Sequence, residues 1–437
     1  MRFLLNPIGS IGDVHPYLGI GAALLKRGHE VTVIANPYYE KLIRKVGLDH
    51  APLGTVEDLE GFWRDPKMWQ PWHAWKVSLD WSVLRPMRPA YEIIASRYVP
   101  GRTVVAGPGW AFGARIAQER LGVPTASLHL GADKFQSIHE SPRMPPPMWL
   151  PDRMPRVLKA MQYWIADAAF TDPLLAPATN AFRKELGLPP VRRLVGRWWH
   201  SPQRVIGMFP DWFCPPQPDW PAQTLVTGFP LWDQSEVVDI PRDLSEFVES
   251  GDPPVVFTFG TANKHTRRFF HESAEACRRS GRRGILITRF ADDLPASLPD
   301  GVRHFPYVPF GYLLPRAAAM VHHAGTGTTA QGLANGLPQI VVPMAFGQPQ
   351  NAFRLDRLGV GRSLSIRGFR ATAVSRWLDR FLDSPQVTAR CRELARRFEN
   401  RQPIEETCDL LEQLAGTDGH LQPVEHAVPH HGRRIHV

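Results

Sequence analysis

The stretch Val321 to Asn351, VHHAGTGTTAQGLANGLPQIVVPMAFGQPQN, confines the second half of this chain to an α/β architecture, because an apolar strand runs straight into a glycine-threonine turn and then a helix. Helix N-termini leave backbone N–H groups unpaired and carry a positive partial charge. Gly325, Gly327 and Thr328 are therefore suited to hold an anion such as a phosphate against the backbone, with His323 as a further donor. A second strand, Gln339 to Val342, ends at Pro343 and brings Gln348 to the same carboxyl edge of a parallel sheet, where α/β proteins bind their ligands.

The same alternation recurs along the chain. Arg2 to Leu5 is a short apolar strand, Asn6 to Asp13 a turn, and His15 to Lys26 is apolar at helical spacing through Leu18, Ile20, Ala23 and Leu24. Gly28 stops that helix and Val31 to Ala35 is the next strand, which completes a βαβ unit. Thr103 to Ala106, Phe112 to Arg120 and Thr125 to Leu128 repeat the pattern. A second series runs from the strand Val255 to Phe259 through the helix Phe269 to Arg279, then the strands Ile285 to Thr288 and Met320 to His322. With 437 residues the chain exceeds what one hydrophobic core holds, so two Rossmann-like, doubly wound parallel-sheet α/β domains are expected. Pro218 to Pro254, rich in Pro, Asp and Ser, reads as the linker between them. The expected division is residues 1–230, residues 231–400, a helix at 401–415 packing back on the first domain, and a disordered, His-rich tail at 416–437.

Composition narrows the function classes. The formal charge of +9 suits an anionic ligand, an anionic membrane surface or nucleic acid. The arginine pairs are scattered, from Arg192–Arg193 to Arg396–Arg397, and no nucleic-acid motif accompanies them, so nucleic acid is not an expected partner. No run of about 18 apolar residues appears and no apolar leader precedes the first strand, so a cytoplasmic protein is expected. Positive charge and a tryptophan-rich segment are compatible with peripheral contact on the inner face of a membrane. Cys214, Cys277, Cys391 and Cys408 lie far apart without zinc-ligand spacing, which fits reduced thiols.

The loop from Gly9 through Ser10, Gly12, Asp13 and His15 to Pro16 follows the first strand, where glycines let a backbone approach a ligand. It lacks a complete G-x-G-x-x-G fingerprint, which disfavours a nicotinamide dehydrogenase. Asp13 and His15 either carry chemistry or simply cap and start the next helix. Two insertions interrupt the first domain. Trp63, Trp69, Trp72, Trp75 and Trp81 crowd one of them, as a helical core or as an apolar acceptor pocket. Pro142, Pro145, Pro146, Pro147, Pro151 and Pro155 stiffen the other.

Together, GSIGDVHPYLGIGAALLKRGHEVTVIAN and HHAGTGTTAQGLANGLPQIVVPMAFGQPQNAFRLDRLGVG resemble the two ends of a family 1 glycosyltransferase of the two-domain GT-B fold, a similarity that runs over nearly the whole chain. Within that family, WWHSPQ, MFPDWFCPPQPDWP and TGFPLWD are most similar to the rhamnosyltransferases of rhamnolipid synthesis. The resemblance implies an inverting, metal-independent transfer of rhamnose or another hexose from a nucleoside-diphosphate sugar, dTDP- or UDP-linked, without a cofactor. The acceptor would be a hydroxyl on a lipophilic molecule such as a 3-hydroxy fatty acid. A polyketide, sterol or phenolic aglycone is the alternative acceptor, and an accessory protein that binds the nucleotide sugar with reduced catalysis is the alternative role.

The resemblance also implies site roles. Asp13 stands where relatives carry a catalytic Asp or His, with His15 as its assistant. Gly9, Ser10, Gly12 and Gly325 would help to bind the donor, with His323, Gly327, Thr328 and Thr261 at its diphosphate. Tyr307 with Val308 would meet the base, and Gln331 the ribose. No D-x-D motif stands at a comparable strand end to bridge a metal to the diphosphate. The family's donor signature ends in Asp-Gln, whereas here Gly347 precedes Gln348, and glycine offers a sugar hydroxyl no acceptor.

Overall fold

The computed structural model describes residues 1–65, 71–143, 153–234, 238–260 and 266–415. Trp69, Pro145, Pro146, Pro147, Pro151, Thr261 and the tail 416–437 lie outside them. The first sheet contains β1 (Arg2–Leu5), β2 (Glu30–Ala35), β3 (Asp49–Pro52), β4 (Thr103–Gly107), β5 (Thr125–His129), β6 (Arg204–Gly207) and β7 (Thr224–Val226). Its order is β3-β2-β1-β4-β5-β6-β7 and every pairing is parallel, with Leu5 opposite both Val33 and Ala106. The second sheet contains β8 (Val255–Thr258), β9 (Gly284–Ile287), β10 (Val302–Phe305), β11 (Ala319–His322), β12 (Gln339–Val341) and β13 (Gly361–Ser363). It runs β10-β9-β8-β11-β12-β13, again all parallel. Two doubly wound α/β domains, the expected fold class, are thus present.

Helices α1 (Ile11–Lys26), α2 (Glu40–Lys45), α3 (Val56–Arg64), α4 (Pro71–Leu79), α5 (Arg85–Arg97), α6 (Phe112–Leu121), α7 (Arg156–Ala166) and α8 (Asp172–Glu185) belong to the first half. The second half carries α9 (Arg242–Glu249), α10 (Arg267–Ser280), α11 (Phe310–Leu313), α12 (Thr326–Ala334), α13 (Gln348–Leu358), α14 (Ala371–Leu382), α15 (Pro385–Arg396) and α16 (Pro403–Ala415). None of them is long and apolar enough to cross a membrane.

Two local expectations are corrected. Helix α1 starts at Ile11 rather than His15, because Ser10 and Asp13 form a capping box that opens the helix one turn before Pro16. The stretch read as linker contains β7, which extends the first sheet, and α9, whose Leu244, Phe247 and Val248 are buried against Val256 and Ile285 of the second. The tryptophan-rich insertion is helical through α3, α4 and a π-helical segment at Asp80–Leu84, in line with the helical one of its two readings.

Helix α16 lies against α1, where Arg27 pairs with Glu405, with Asp409 at 2.7 Å and with Glu412 at 2.8 Å, and His29 meets Glu412 at 2.7 Å. The two sheets also share one apolar core. Ala132, Phe135, Phe209, Phe213 and Trp220 of the first half pack in the same cluster as Ala324, Leu333, Ala352 and Leu355 of the second.

Candidate active site

In each sheet the strand order reverses direction once, between β1 and β4 and between β8 and β11, and ligands of open α/β sheets bind at the carboxyl ends of such strands. Gly9–Asp13 follows β1, Gly260 follows β8, and His323–Gly325 follows β11. The loops singled out in the sequence therefore occupy both switch points.

At the first, Asp13 Oδ2 accepts the Ser10 N–H at 2.7 Å and the Ser10 hydroxyl at 3.0 Å. Gly9 is needed beneath it: its φ is +141°, and a Cβ there would lie 2.3 Å from Asp13 Oδ2. Gly12 is exposed in the first turn of α1 and has no such constraint. Burial raises the Asp13 pKa above 3.8, opposed chiefly by the Ser10 hydrogen bonds, with smaller effects from nearby Lys134 and Asp133. Asp13 Oδ2 thus serves the helix cap, and the structure records no hydrogen bond from a described residue to Oδ1.

At the second, α12 begins at Thr326 with Gly325 as N-cap and no side-chain cap, the first intrahelical bond being Thr329 N–H to Gly325 O at 2.9 Å. The amides of Thr326, Gly327 and Thr328 precede it at the positive end of the helix dipole. Asn351 Nδ2 holds this start, donating to Ala324 O at 3.0 Å and to Thr326 Oγ1 at 3.1 Å. The His323 ring lies between two glycines, since a Cβ at Gly325 would be 2.5 Å and one at Gly260 3.1 Å from its Nε2. Its Nδ1 is buried with no partner at ordinary hydrogen-bond geometry among the described residues. Burial lowers the His323 pKa to about 4, with a smaller opposing contribution from the Thr258 backbone, so the ring is neutral. Gln331 sits a turn further along α12, partly exposed. Gln348 opens α13 and turns its Oε1 inward, accepting from Met344 N at 2.7 Å and Ala345 N at 3.1 Å.

The hydrogen bond recorded for the His15 ring goes to Gln234 rather than to Asp13. His15 Nε2 meets Gln234 Nε2 at 3.0 Å and its ring packs edge-on against Trp232, 5.2 Å between centroids. Burial lowers its pKa to about 4, Asp233 opposing, so it is a neutral acceptor of the Gln234 amide. The Gln234 backbone N–H in turn donates to the Tyr307 hydroxyl at 3.4 Å, whose pKa burial raises. The connecting segment thus ties His15 to Tyr307. Val308 turns its side chain into the core, 2% exposed, so only its backbone can meet a ligand.

The tryptophans divide. Trp63 stands edge-on to Tyr38, with the Arg289 guanidinium 4.7 Å from its ring, and the neighbouring Tyr39 hydroxyl donates to Gly9 O at 2.9 Å. Trp81 stacks on Phe62 at 4.7 Å and lines a cavity of about 570 Å³ with Leu84, Leu174 and Leu175. No residue of the Gly9 loop or of α12 lines that cavity. Trp75 is partly buried on α4. Trp72 lies in the same helix, its side chain outside the described residues.

Sequence reasoning missed Gln234, Asn351, Gly260, Asp133 and Lys134. Gly260, with φ +94°, follows an apolar strand and was findable as a strand-end glycine. The others act through contacts far away in sequence.

Residues 3–139 match the glycosyltransferase family 28 N-terminal domain and residues 284–414 the C-terminal domain of erythromycin biosynthesis protein CIII-like proteins. The chain is 29% identical to an O-mycaminosyltylonolide 6-deoxyallosyltransferase of Streptomyces fradiae, over 95% of this chain and 98% of that one. It is 26% identical to a sterol 3-beta-glucosyltransferase of Arabidopsis thaliana, over 83% of this chain and 58% of that one. The glycotransferase of kitacinnamycin superposes with a TM-score of 0.72 at 21% identity, covering 95% of this chain and 99% of that one. The glycosyltransferase VinC, solved in complex with dTDP, gives 0.67 at 19% identity, with coverage of 95% and 99%. The protein is a glycosyltransferase of the GT-B fold. It carries a family 28 N-terminal domain followed by an EryCIII-like C-terminal domain.

Proposed function

We propose that this chain transfers a sugar from a dTDP- or UDP-linked donor to a hydroxyl of an apolar natural-product aglycone, with inversion and without a metal. The observation that carries the reading is the pair of switch points: a carboxylate with an unclaimed oxygen at one, and an uncapped helix start beside a neutral histidine at the other. Asp13 Oδ1 takes the proton of the acceptor hydroxyl as its oxygen bonds to the anomeric carbon. The bond from that carbon to the diphosphate breaks, and the leaving oxygen keeps the electron pair. Its growing charge is met by the α12 amides and His323, fixed donors in the place a metal would otherwise take. Tyr307 with the Val308 backbone would meet the base, and Gln331 the ribose.

Relatives named for macrolide and sterol substrates support a polycyclic or macrocyclic aglycone, and a deoxyallosyl donor in the first of them supports a dTDP-deoxyhexose, rhamnose included. The segments that resemble rhamnolipid enzymes speak less for a 3-hydroxy fatty acid. Trp198, Trp199, His200, Phe209, Phe213 and Trp220 are buried, so their likeness reflects packing rather than acceptor contact. Trp63 and Tyr38, joined to the Gly9 loop through Tyr39, supply the apolar approach to Asp13.

The test is mass spectrometry of products from dTDP- and UDP-sugars offered with a macrolide aglycone, a sterol, a phenol and a 3-hydroxy fatty acid. An inverted glycoside of the macrolide or sterol, formed at the same rate in EDTA, is expected. Nucleotide binding without glycoside would leave the accessory-protein reading in its place.

A further inference from the structure

Asp133 lies in a short turn, Ala132–Lys134, just after β5 of the first domain, yet its carboxylate is pressed against the second. A Cβ built on Gly347 would lie 2.6 Å from Asp133 Oδ1, and one built on Gly131 2.4 Å from the same oxygen. Two glycines, one from each domain, thus clear the room for a single carboxylate. Its side chain is 7% exposed and pairs with Lys134, whose ammonium lies 4.7 Å from the Trp110 ring. Asp133 and Lys134 both act electrostatically on Asp13, and a Cβ on the adjoining Gly131 would lie 3.6 Å from Thr326 Oγ1. The carboxylate therefore stands between the candidate base, the start of α12 and the start of α13.

Across from it, the stretches His323–Thr328 and Met344–Gln348 of the second domain carry no carboxylate. The α12 amides and the His323 ring suit phosphate, and Gln348 has committed its carbonyl oxygen to Met344 and Ala345, which leaves its NH₂. A sugar hydroxyl is itself a donor and needs an acceptor.

We propose that Asp133 is the acceptor for a hydroxyl of the donor sugar, supplying from the first domain the carboxylate that position 347 of the second lacks. The proposal rests on the donor reading above. It divides donor recognition, with nucleotide and diphosphate held by the second domain and the sugar by a residue of the first.

The experiment compares calorimetric binding of dTDP and UDP with that of dTDP-glucose, dTDP-rhamnose and UDP-glucose, on the full chain. Asp133→Asn should leave bare nucleotide affinity unchanged and weaken the preferred sugar nucleotide by about tenfold or more, the loss of a charge-assisted hydrogen bond. Gly347→Asp alone should also weaken it, since the new carboxylate collides with Asp133. The double variant Asp133→Ala with Gly347→Asp, which removes the colliding atoms and moves the charge back to the second domain, should recover affinity towards that of the unaltered chain. Equal weakening of bare and sugar nucleotides by Asp133→Asn overturns the proposal in favour of a structural role, and so does an Asp133→Asn chain that binds both as before. Absence of any nucleotide binding by the unaltered chain overturns the donor reading and the proposal with it.

Discussion

Asp13 is asked to be a helix cap and a base at once, and the conflict has a measurable signature. Its pKa is raised by burial, so the folded chain holds this proton more tightly than the unfolded chain does. That contribution to stability is complete below about 3.8 and is lost as pH rises through the folded value. At neutral pH the charged carboxylate is a net cost that the two Ser10 hydrogen bonds only partly offset. In Asp13→Asn the amide oxygen still accepts from the Ser10 N–H but neither carries charge nor takes a proton. Turnover should fall by about 10²–10⁴-fold, while the thermal midpoint at neutral pH stays equal or rises. Unchanged turnover would remove Asp13 from the base role. The position of Asp13 was legible in the sequence because a strand, a glycine turn and a helix are local signals. The hydrogen bond of the His15 ring was not, since its partner Gln234 lies more than 200 residues on. Asp133 was illegible for the same reason: nothing in GADKF says that Gly347 will lie over it.

Among the elements, α12 has a start whose tolerance can be separated from its function. Gly325 has φ −62° and ψ 145°, a conformation any residue adopts, so glycine is not required there for the backbone. What requires it is His323, whose Nε2 would lie 2.5 Å from a Cβ. Gly325→Ala should therefore fold but push the ring aside, and calorimetry with dTDP and UDP should show a loss of about tenfold or more, one charge-assisted hydrogen bond to phosphate. Undiminished affinity would mean that His323 does not touch the diphosphate. Most strands were readable because parallel strands buried on both faces are continuous apolar runs. The errors have identifiable causes. Pro16 masked the first turn of α1, which the Ser10–Asp13 box starts upstream of it. β7 is three residues long and only half-buried within a Pro-rich stretch, so it carries no periodic signal of its own.

At the scale of the whole molecule, sequence periodicity announces two sheets but not how firmly they are joined. The shared cluster around Phe135, Phe213, Leu333 and Leu355, together with α16 clamped by Arg27, makes separate melting of the halves costly. Buried histidines are spread through this assembly. Burial lowers the pKa of His15 and His323 to about 4 and of His200 and His322 to about 3, and it lowers that of His129 as well. All five lie below the ordinary 6.5, so the unfolded chain binds more protons than the folded one as the solution is acidified. Their contribution to stability is complete above 6.5 and is lost as pH falls through 4 and 3. Asp13, Asp167 and Asp356, with pKa values raised by burial, work in the opposite direction. The histidines should prevail, because they are more numerous and four of them are displaced by two pH units or more. Differential scanning calorimetry should show one transition, its midpoint nearly constant above pH 6.5 and falling steeply from there to pH 4. Two resolved transitions would show that the shared core does not couple the domains, and a flat midpoint across that interval would show that these histidines are not held neutral by folding.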